Sequence, residues 1–154
     1  MVDAGHGGKD YGALGNGLRE KDVVLKIAQK VKELSSEYAI DVSLTRNTDI
    51  FMTPPEKADF SNTHNADAFV TLHINAEPKN KITGSSGVEI YISKDNSQPT
   101  SSIILGSAIL QSLQTDFQTP QALNTRNVGI WVLKGTNSPA ALIECGYITN
   151  ANDA

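Results

Sequence analysis

The stretch Val2-Asp3-Ala4-Gly5-His6-Gly7-Gly8-Lys9-Asp10-Tyr11-Gly12 organises the rest of the chain. A short apolar lead runs into four glycines with a histidine among them. Glycine permits backbone conformations and close approaches that other residues resist. A loop of this kind therefore holds a ligand or frames a reactive side chain, and the partners that decide between these two roles must come from elsewhere in the chain.

Composition and charge narrow the class of protein. The 154 residues suffice for one domain with a substantial core, and 39% hydrophobic with 19% charged residues is typical of a globular protein. A net charge of -4 and a pI of about 5.3 argue against a nucleic-acid partner. No apolar run is long enough to insert into a membrane. The single cysteine, Cys145, excludes an internal disulfide, and we expect it to be a small buried residue.

The two ends of the sequence look truncated. The first apolar residues, Met1-Val2, are too few for a full strand, no signal peptide precedes them, and the chain stops at Ala154 without a clear final element. We therefore expect residues 1–154 to be one excised catalytic domain from which terminal elements are missing.

The pattern of apolar residues predicts alternating strands and helices. Thr53 and Glu56 form a capping-box pattern with Pro54 at the first helical position, and Asp22 is a candidate cap for the first helix. The predicted helices cover residues 22–38, 53–64 and 103–117, and the predicted strands cover residues 40–46, 68–73, 88–92, 129–133 and 140–143. This alternation indicates an α/β fold with helices on both faces of one sheet.

Four side chains that can bind a metal or carry a proton stand at the ends of the predicted strands and helices. His6, His73 and Glu144 each come directly after an apolar strand, and Glu20 comes just before a helix. Sites in α/β sheets lie beyond the carboxyl ends of the strands. The sequence therefore predicts that these four side chains meet at one edge of the sheet.

A phosphate site is the first alternative, and the sequence argues against it. A Walker loop needs Ser or Thr after Gly8-Lys9, but Asp10 stands there and would repel phosphate. A dinucleotide-binding loop needs a third glycine at the position that Asp10 occupies.

A zinc site is the second alternative. Two histidines and one carboxylate form a recognised catalytic set, which His6, Glu20 and His73 supply. A second carboxylate must then carry protons, and Glu144 suits that role. Taken singly, His73 and Glu20 also fit structural roles, and we expect His64 to be a surface residue at a helix end.

Four blocks of sequence resemble the zinc-dependent N-acetylmuramoyl-L-alanine amidases of the AmiC-like catalytic domain family. In chain order they are Asp3-Ala4-Gly5-His6-Gly7-Gly8, Arg19-Glu20-Lys21-Asp22, Ala66 to Ala76, and Pro139 to Asn150. Weaker matches lie at Leu44-Thr45-Arg46 and Gly87-Val88-Glu89-Ile90-Tyr91. The blocks span almost the whole chain and occur in the family's order, so the resemblance is specific.

The resemblance implies a fold, a cofactor and a reaction. It implies a six-stranded, mostly parallel or mixed twisted sheet, one zinc ion held by His6, Glu20 and His73, and Glu144 as general base and then general acid. The substrate would be peptidoglycan, cut between N-acetylmuramic acid and the L-alanine of the stem peptide. The expected protein is a monomeric hydrolase of the cell wall, an autolysin working in the periplasm, in the wall or as a secreted enzyme.

Some features depart from the family or leave alternatives open. Lys57 stands where relatives often have arginine, for which we expect a small effect. The short linkers leave no room for the insert that blocks some relatives, so we expect an uninhibited site. Asn75 and Arg126 are candidate substrate contacts. A zinc peptidase that trims the stem peptide, or an inactive peptidoglycan-binding module, would use similar ligands.

Overall fold

The computed structural model describes residues 1–78, 80, 83–120, 122–125 and 130–154. Arg126, a predicted substrate contact, lies outside these residues. The helices are α1 (Glu20–Ser35), α2 (Pro54–Thr63), α3 (Pro99–Leu113) and α4 (Trp131–Gly135), and a 3-10 turn, Ser36–Tyr38, follows α1. The strands are β1 (Val2–Ala4), β2 (Leu14–Gly15), β3 (Leu18–Arg19), β4 (Phe69–Asn75), β5 (Glu89–Ile92), β6 (Asn124–Thr125) and β7 (Ala140–Tyr147).

The main sheet is mixed and mostly parallel, as predicted. Its order is β1-β4-β7-β5-β6, and only the β5–β7 pairing is antiparallel. Within the described residues this sheet has five strands, one fewer than the family resemblance implied. The predicted strand at residues 40–46 is wrong except at one point, where Leu44 forms an isolated parallel bridge with Val2. Arg46, two residues later, is outside the sheet, and its buried side chain donates a hydrogen bond to the carbonyl oxygen of Gly5 in the glycine-rich loop.

Helices cover both faces of this sheet, which confirms the predicted fold class. On one face, Val24 and Ala28 of α1 pack with Leu72 of β4. Leu110 of α3 and Ile90 of β5 pack in a second cluster with Ala141 of β7. Ala141 is the register partner of Val70 in β4, so this second cluster lies on the same face of the sheet. The opposite face of the sheet carries Phe69 and Leu142. Two neighbouring helices cover this face, with Ala58 of α2 and Leu133 of α4 in the same core cluster. The alternation of side chains along β4 and β7 separates the two cores.

Three local predictions need correction. The predicted strand at residues 129–133 is helix α4 over its described part, because a short apolar run does not distinguish a strand from a buried helical turn. Helix α1 begins at Glu20, so Asp22 is inside its first turn and forms an ion pair with Arg19 instead of capping the helix. Helix α3 begins at Pro99, four residues before the predicted start (103 − 99).

Other local features agree with the sequence. Thr53 and Glu56 form the predicted capping box at the start of α2. His64 is the exposed residue that ends α2, and Nδ1 of its ring lies 2.7 Å from the carbonyl oxygen of Phe60. None of the helices in the described part of the chain is both long and apolar enough to cross a membrane.

Candidate metal centre

Three side chains from distant parts of the sequence meet at the carboxyl end of β4. Nε2 of His6 lies 3.0 Å from Oε1 of Glu20, and Nδ1 of His73 lies 3.0 Å from the same oxygen. The candidate ligand atoms of the three residues all lie within 4.8 Å of one another. The structure thus brings together the two histidines and the carboxylate that the sequence selected.

Each of the three side chains is positioned by its own element. His6 follows β1 and adopts a left-handed backbone conformation with φ of 57°, while His73 belongs to β4 itself. Glu20 begins α1 and accepts hydrogen bonds from the backbone amides of Ala13, at 2.7 Å, and Ile74, at 3.0 Å. These bonds fix the Glu20 carboxylate from two sides.

The carboxylate of Glu20 also depends on a close approach by Gly12. A Cβ atom at residue 12 would lie 2.4 Å from Oε2 of Glu20 and 2.7 Å from Cδ2 of His6. Real Cβ contacts are never so short, and the φ of +65° at Gly12 further disfavours a side chain. A glycine at residue 12 therefore leaves the space in which the three ligands meet.

Asp10 supports His6 from the side away from Glu20. Oδ2 of Asp10 lies 2.8 Å from Nδ1 of His6, and Oδ1 accepts a hydrogen bond from the amide of Gly12. The backbones of Gly7 and Asp10 exchange two hydrogen bonds, each 3.0 Å long. Because Nδ1 of His6 faces Asp10, Nε2 is the nitrogen left for a metal. From the sequence, Asp10 only excluded a phosphate site, and its contact with His6 was not predicted.

The charges of the cluster are coupled. Burial acts to raise the pKa of Glu20, but hydrogen bonds and charges from His6 and His73 outweigh it and hold that pKa well below its ordinary value. Burial acts to lower the pKa of His6, yet the carboxylates of Glu20 and Asp10 raise it overall. Glu20 is therefore an anion near neutral pH, which is the form that binds a metal.

Glu144 lies on the strand next to His73. The two residues are register partners in the parallel pairing of β4 with β7, so their side chains leave the same face of the sheet. Only 9% of Glu144 is exposed. Cys145 points to the opposite face, against the core beneath α1, and burial first, then Glu144 and Glu20, raise the pKa of its thiol to about 12. The raised pKa keeps the Cys145 thiol protonated near neutral pH, and the residue is half-buried rather than fully buried as predicted.

A polar network extends from Glu144 along β5. Glu89 is the register partner of Glu144 on the other side of β7. The Glu89 carboxylate accepts hydrogen bonds from Asn75 Nδ2 at 3.1 Å, Tyr91 Oη at 2.8 Å and Tyr147 Oη at 3.2 Å. Burial, followed by the Glu89 carboxylate, raises the pKa of the Tyr147 phenol, which keeps it a donor. The amide of Asn75, a predicted substrate contact, is thus engaged with Glu89.

Buried cations hold the glycine-rich loop beneath the centre. Arg46, 2% exposed, donates hydrogen bonds to the carbonyl oxygens of Ala4, Gly5 and Lys21. Lys57 lies 2.9 Å from the buried carboxylate of Asp3 and donates to the carbonyl of Ala4. These contacts tie β1 and the loop to α1 and α2, so the position of His6 is set by the whole fold.

The centre opens into a cleft of about 450 Å³. His6, His73 and Glu144 line it, and Phe51, Met52 and Trp131 are among its apolar lining residues. A substrate bound in this cleft can therefore contact the candidate ligands and Glu144 together.

The donor set fits zinc. Neutral imidazole nitrogens and a carboxylate oxygen are ligands that zinc accepts, and three protein ligands leave a position open for water or substrate. Asp10 supplies the outer contact that zinc-binding histidines usually have.

Comparisons with known proteins agree on one family. The sequence profile described as N-acetylmuramoyl-L-alanine amidase matches residues 1–154. The endolysin of Bacillus phage SPP1 is 39% identical over 158 residues, which cover 99% of this chain and 56% of the endolysin. The amidase LytC of Bacillus subtilis is 34% identical over 155 residues, covering 100% of this chain and 30% of LytC. The chain therefore spans about half of the first relative and under a third of the second.

A solved structure agrees with the sequence relatives. The N-acetylmuramoyl-L-alanine amidase from Clostridium difficile 630 superimposes with a TM-score of 0.87 at 30% sequence identity, covering 99% of this chain and 81% of that one.

Proposed function

Because this chain belongs to the N-acetylmuramoyl-L-alanine amidase family, we propose that it hydrolyses the amide between N-acetylmuramic acid and L-alanine in peptidoglycan. One observation carries the proposal: His6, His73 and Glu144 line the same cleft. This combination offers a metal and a proton-carrying carboxylate to one bond. Peptidoglycan as substrate means that the enzyme works outside the cytoplasm, in the periplasm, in the wall or as a secreted protein.

His6, Glu20 and His73 are the residues that we assign to one zinc ion. Nε2 of His6, Nδ1 of His73 and the carboxylate of Glu20 already approach one another as ligands do. When bound, zinc supplies a Lewis acid that makes water a nucleophile near neutral pH. Through its contact with Nδ1, Asp10 would leave Nε2 of His6 free to bind the ion.

Glu144 is the residue that we assign to proton transfer. Its carboxylate accepts a proton as water adds to the amide carbonyl carbon. When the carbon–nitrogen bond breaks, Glu144 returns that proton to the nitrogen of L-alanine. The products are the carboxylic acid of the lactyl group and a stem peptide with a free amino terminus. The position of Glu144 beside His73 on the sheet supports this assignment.

Mass spectrometry of digested peptidoglycan tests the proposal. We expect purified protein with zinc to release stem peptides that begin with free L-alanine and to leave intact glycan strands. A chelator should abolish the products, and added zinc should restore them. Shortened peptides still attached to muramic acid would instead indicate a peptidase. Zinc-loaded protein that binds peptidoglycan without releasing any product would indicate a binding module.

An accessible cleft is a further part of the proposal. We expect the isolated domain to act without an activating partner, because His73 and Trp131 line one cleft in the described part of the chain. Negligible activity that an activator protein rescues would contradict this expectation.

A further inference from the structure

Two aromatic side chains, Phe51 and Trp131, line the cleft at the candidate metal centre, and Trp131 is the more exposed of the two. The side chains of Phe51, Met52 and Trp131 line the same cleft as His6 and Glu144. Trp131 is 49% exposed although it lies in a helix whose next two residues, Val132 and Leu133, are buried. From this position we propose that Trp131 is the platform for the sugar ring of N-acetylmuramic acid, an inference that rests on the proposed amidase function.

Gly135 fixes the position of the Trp131 ring. A Cβ atom at residue 135 would lie 2.6 Å from Cζ3 and 2.8 Å from Cη2 of Trp131, and 3.1 Å from Cβ of Ala58. The six-membered part of the indole therefore lies directly against the backbone of Gly135, one helical turn away. Because the glycine supports one side of the ring, the indole is held in place while about half of the residue remains open to a ligand.

Phe51 is less available than Trp131. The ammonium group of Lys9 lies 4.6 Å from the centre of the Phe51 ring, where it occupies one aromatic face. Phe51 is also 39% exposed, less than Trp131. Trp131 is therefore the larger and more accessible of the two aromatic side chains that line the cleft.

The charges of the cleft indicate which half of the substrate meets Trp131. Two groups of ionisable residues line the cleft within the described part of the chain. One is the buried pair of Asp3 and Lys57, and the other surrounds the candidate metal centre: His6, Asp10, His73 and Glu144. Trp131 itself is uncharged, whereas the ring of Phe51 has the ammonium group of Lys9 over it. Lys134, in the same helix as Trp131, has its ammonium group 3.8 Å from Asp95.

The stem peptide and the muramoyl sugar of the substrate differ in charge. The stem peptide carries carboxylates, which gain nothing from the uncharged indole of Trp131. The muramoyl sugar is uncharged at its ring and presents C–H bonds whose partial positive charge suits the negative face of an indole. Its acetyl and lactyl methyl groups also suit the apolar side chains of Met52 and Ile130, which line the cleft.

The fluorescence of Trp131 tests the assignment directly, because it is the single tryptophan of the chain. We would titrate the protein with the disaccharide of N-acetylglucosamine and N-acetylmuramic acid, which carries no peptide, and separately with the free stem peptide. We expect a saturable change in tryptophan emission with the disaccharide and no change with the peptide. A change with the peptide alone, or no change with millimolar disaccharide, would overturn the assignment.

Variants supply the second measurement, with disaccharide affinity measured by NMR titration. Trp131→Ala should weaken binding roughly three- to tenfold, as expected for loss of one aromatic contact. Gly135→Ala keeps the tryptophan but displaces its ring, and should weaken binding and shift the emission maximum. The matched control is Tyr38→Ala, which removes a 70% exposed aromatic residue in the turn after α1 and should bind as wild type. Wild-type affinity in Trp131→Ala would contradict the proposal.

Failure of this inference is distinguishable from failure of the amidase function. A protein that releases stem peptides but shows no emission change with the disaccharide contradicts only the role of Trp131. A protein that binds the disaccharide through Trp131 without releasing peptides supports the sugar platform and contradicts the proposed reaction.

Discussion

Oδ2 of Asp10 lies 2.8 Å from Nδ1 of His6, while Nε2 of the same ring lies 3.0 Å from Glu20. One imidazole thus connects a supporting carboxylate to a candidate metal ligand. The contact fixes both the tilt of the ring and the nitrogen that faces the metal.

Removing this contact should weaken zinc binding. We expect Asp10→Ala to lower zinc affinity by about 10- to 100-fold, because the ring loses the partner that orients it and raises its basicity. Asp10→Asn retains an acceptor without the charge and should fall between the wild type and Asp10→Ala. Competition with a chromophoric chelator measures the affinity. Asp59→Ala, which alters an exposed residue of α2, is the matched control, and unchanged affinity in Asp10→Ala would refute the role.

Glu144→Gln should separate metal binding from turnover. The amide cannot accept a proton from water, so we expect peptide release to fall by about 10²- to 10⁴-fold. Zinc content should stay at the wild-type level, because Glu144 is outside the His6–Glu20–His73 cluster. Metal analysis of a sample checks the zinc content, and product release measured on the same sample checks the loss of turnover. Glu37→Gln, on the exposed turn after α1, serves as control. Undiminished release by Glu144→Gln would remove Glu144 from the mechanism.

Lys57→Met should destabilise the protein strongly. Lys57 and Asp3 are both nearly fully buried, and their charged atoms lie 2.9 Å apart. Methionine leaves the Asp3 carboxylate buried without its cation, a change that typically costs about 3–5 kcal/mol. Urea unfolding of the metal-free protein measures the loss. Lys57→Arg restores a cation and should recover most of it, whereas the exposed Lys26→Met should be nearly neutral. A loss no larger than that of Lys26→Met would contradict the prediction.

The part of the α2 capping box that the Glu56 carboxylate makes should lose its contribution to stability in acid. Hydrogen bonds from the backbone and hydroxyl of Thr53 lower the pKa of Glu56 from its ordinary value of 4.5. The stabilising contribution is therefore complete above that value and is lost as pH falls through the lowered folded-state pKa. The melting temperature of metal-free wild type should exceed that of Glu56→Gln by a constant amount near neutral pH. This difference should shrink in acid, and a difference that grows in acid would show the opposite sign of linkage.

The candidate site was accessible to sequence reasoning because strand ends are easy to recognise. His6, His73 and Glu144 each follow an apolar run, and parallel strands bring such positions to one edge. The position of Glu20 was harder to predict, since it depends on the β2–β3 hairpin that precedes α1. The Asn16-Gly17 pair, typical of two-residue hairpin turns, was the available signal for that hairpin.

Other features depend on tertiary contacts that no local pattern contains. Alternation in residues 40–46 suggested a strand, but the pairing with β1 is a single bridge at Leu44, and the side chain of Arg46 instead donates to the carbonyl of Gly5 in the glycine-rich loop. The apolar run around Trp131 suggested a strand, yet its packing against α2 stabilises a short helix. The contact between Asp10 and His6 occurs in a loop where His6 has a left-handed backbone, which spacing does not reveal.

The buried guanidinium of Arg46 has a consequence for the dynamics of the loop. Glycine-rich segments usually exchange their amide hydrogens rapidly, since they open without the rest of the fold. Here Arg46 binds the carbonyls of Ala4 and Gly5, and the amide of Gly5 donates to the carbonyl of Leu72 in β4. Opening the loop therefore breaks contacts of the central sheet. The Gly5 amide should exchange at the rate of global unfolding, so the entropy of ordering this loop is lost when the chain folds and not when metal or substrate arrives.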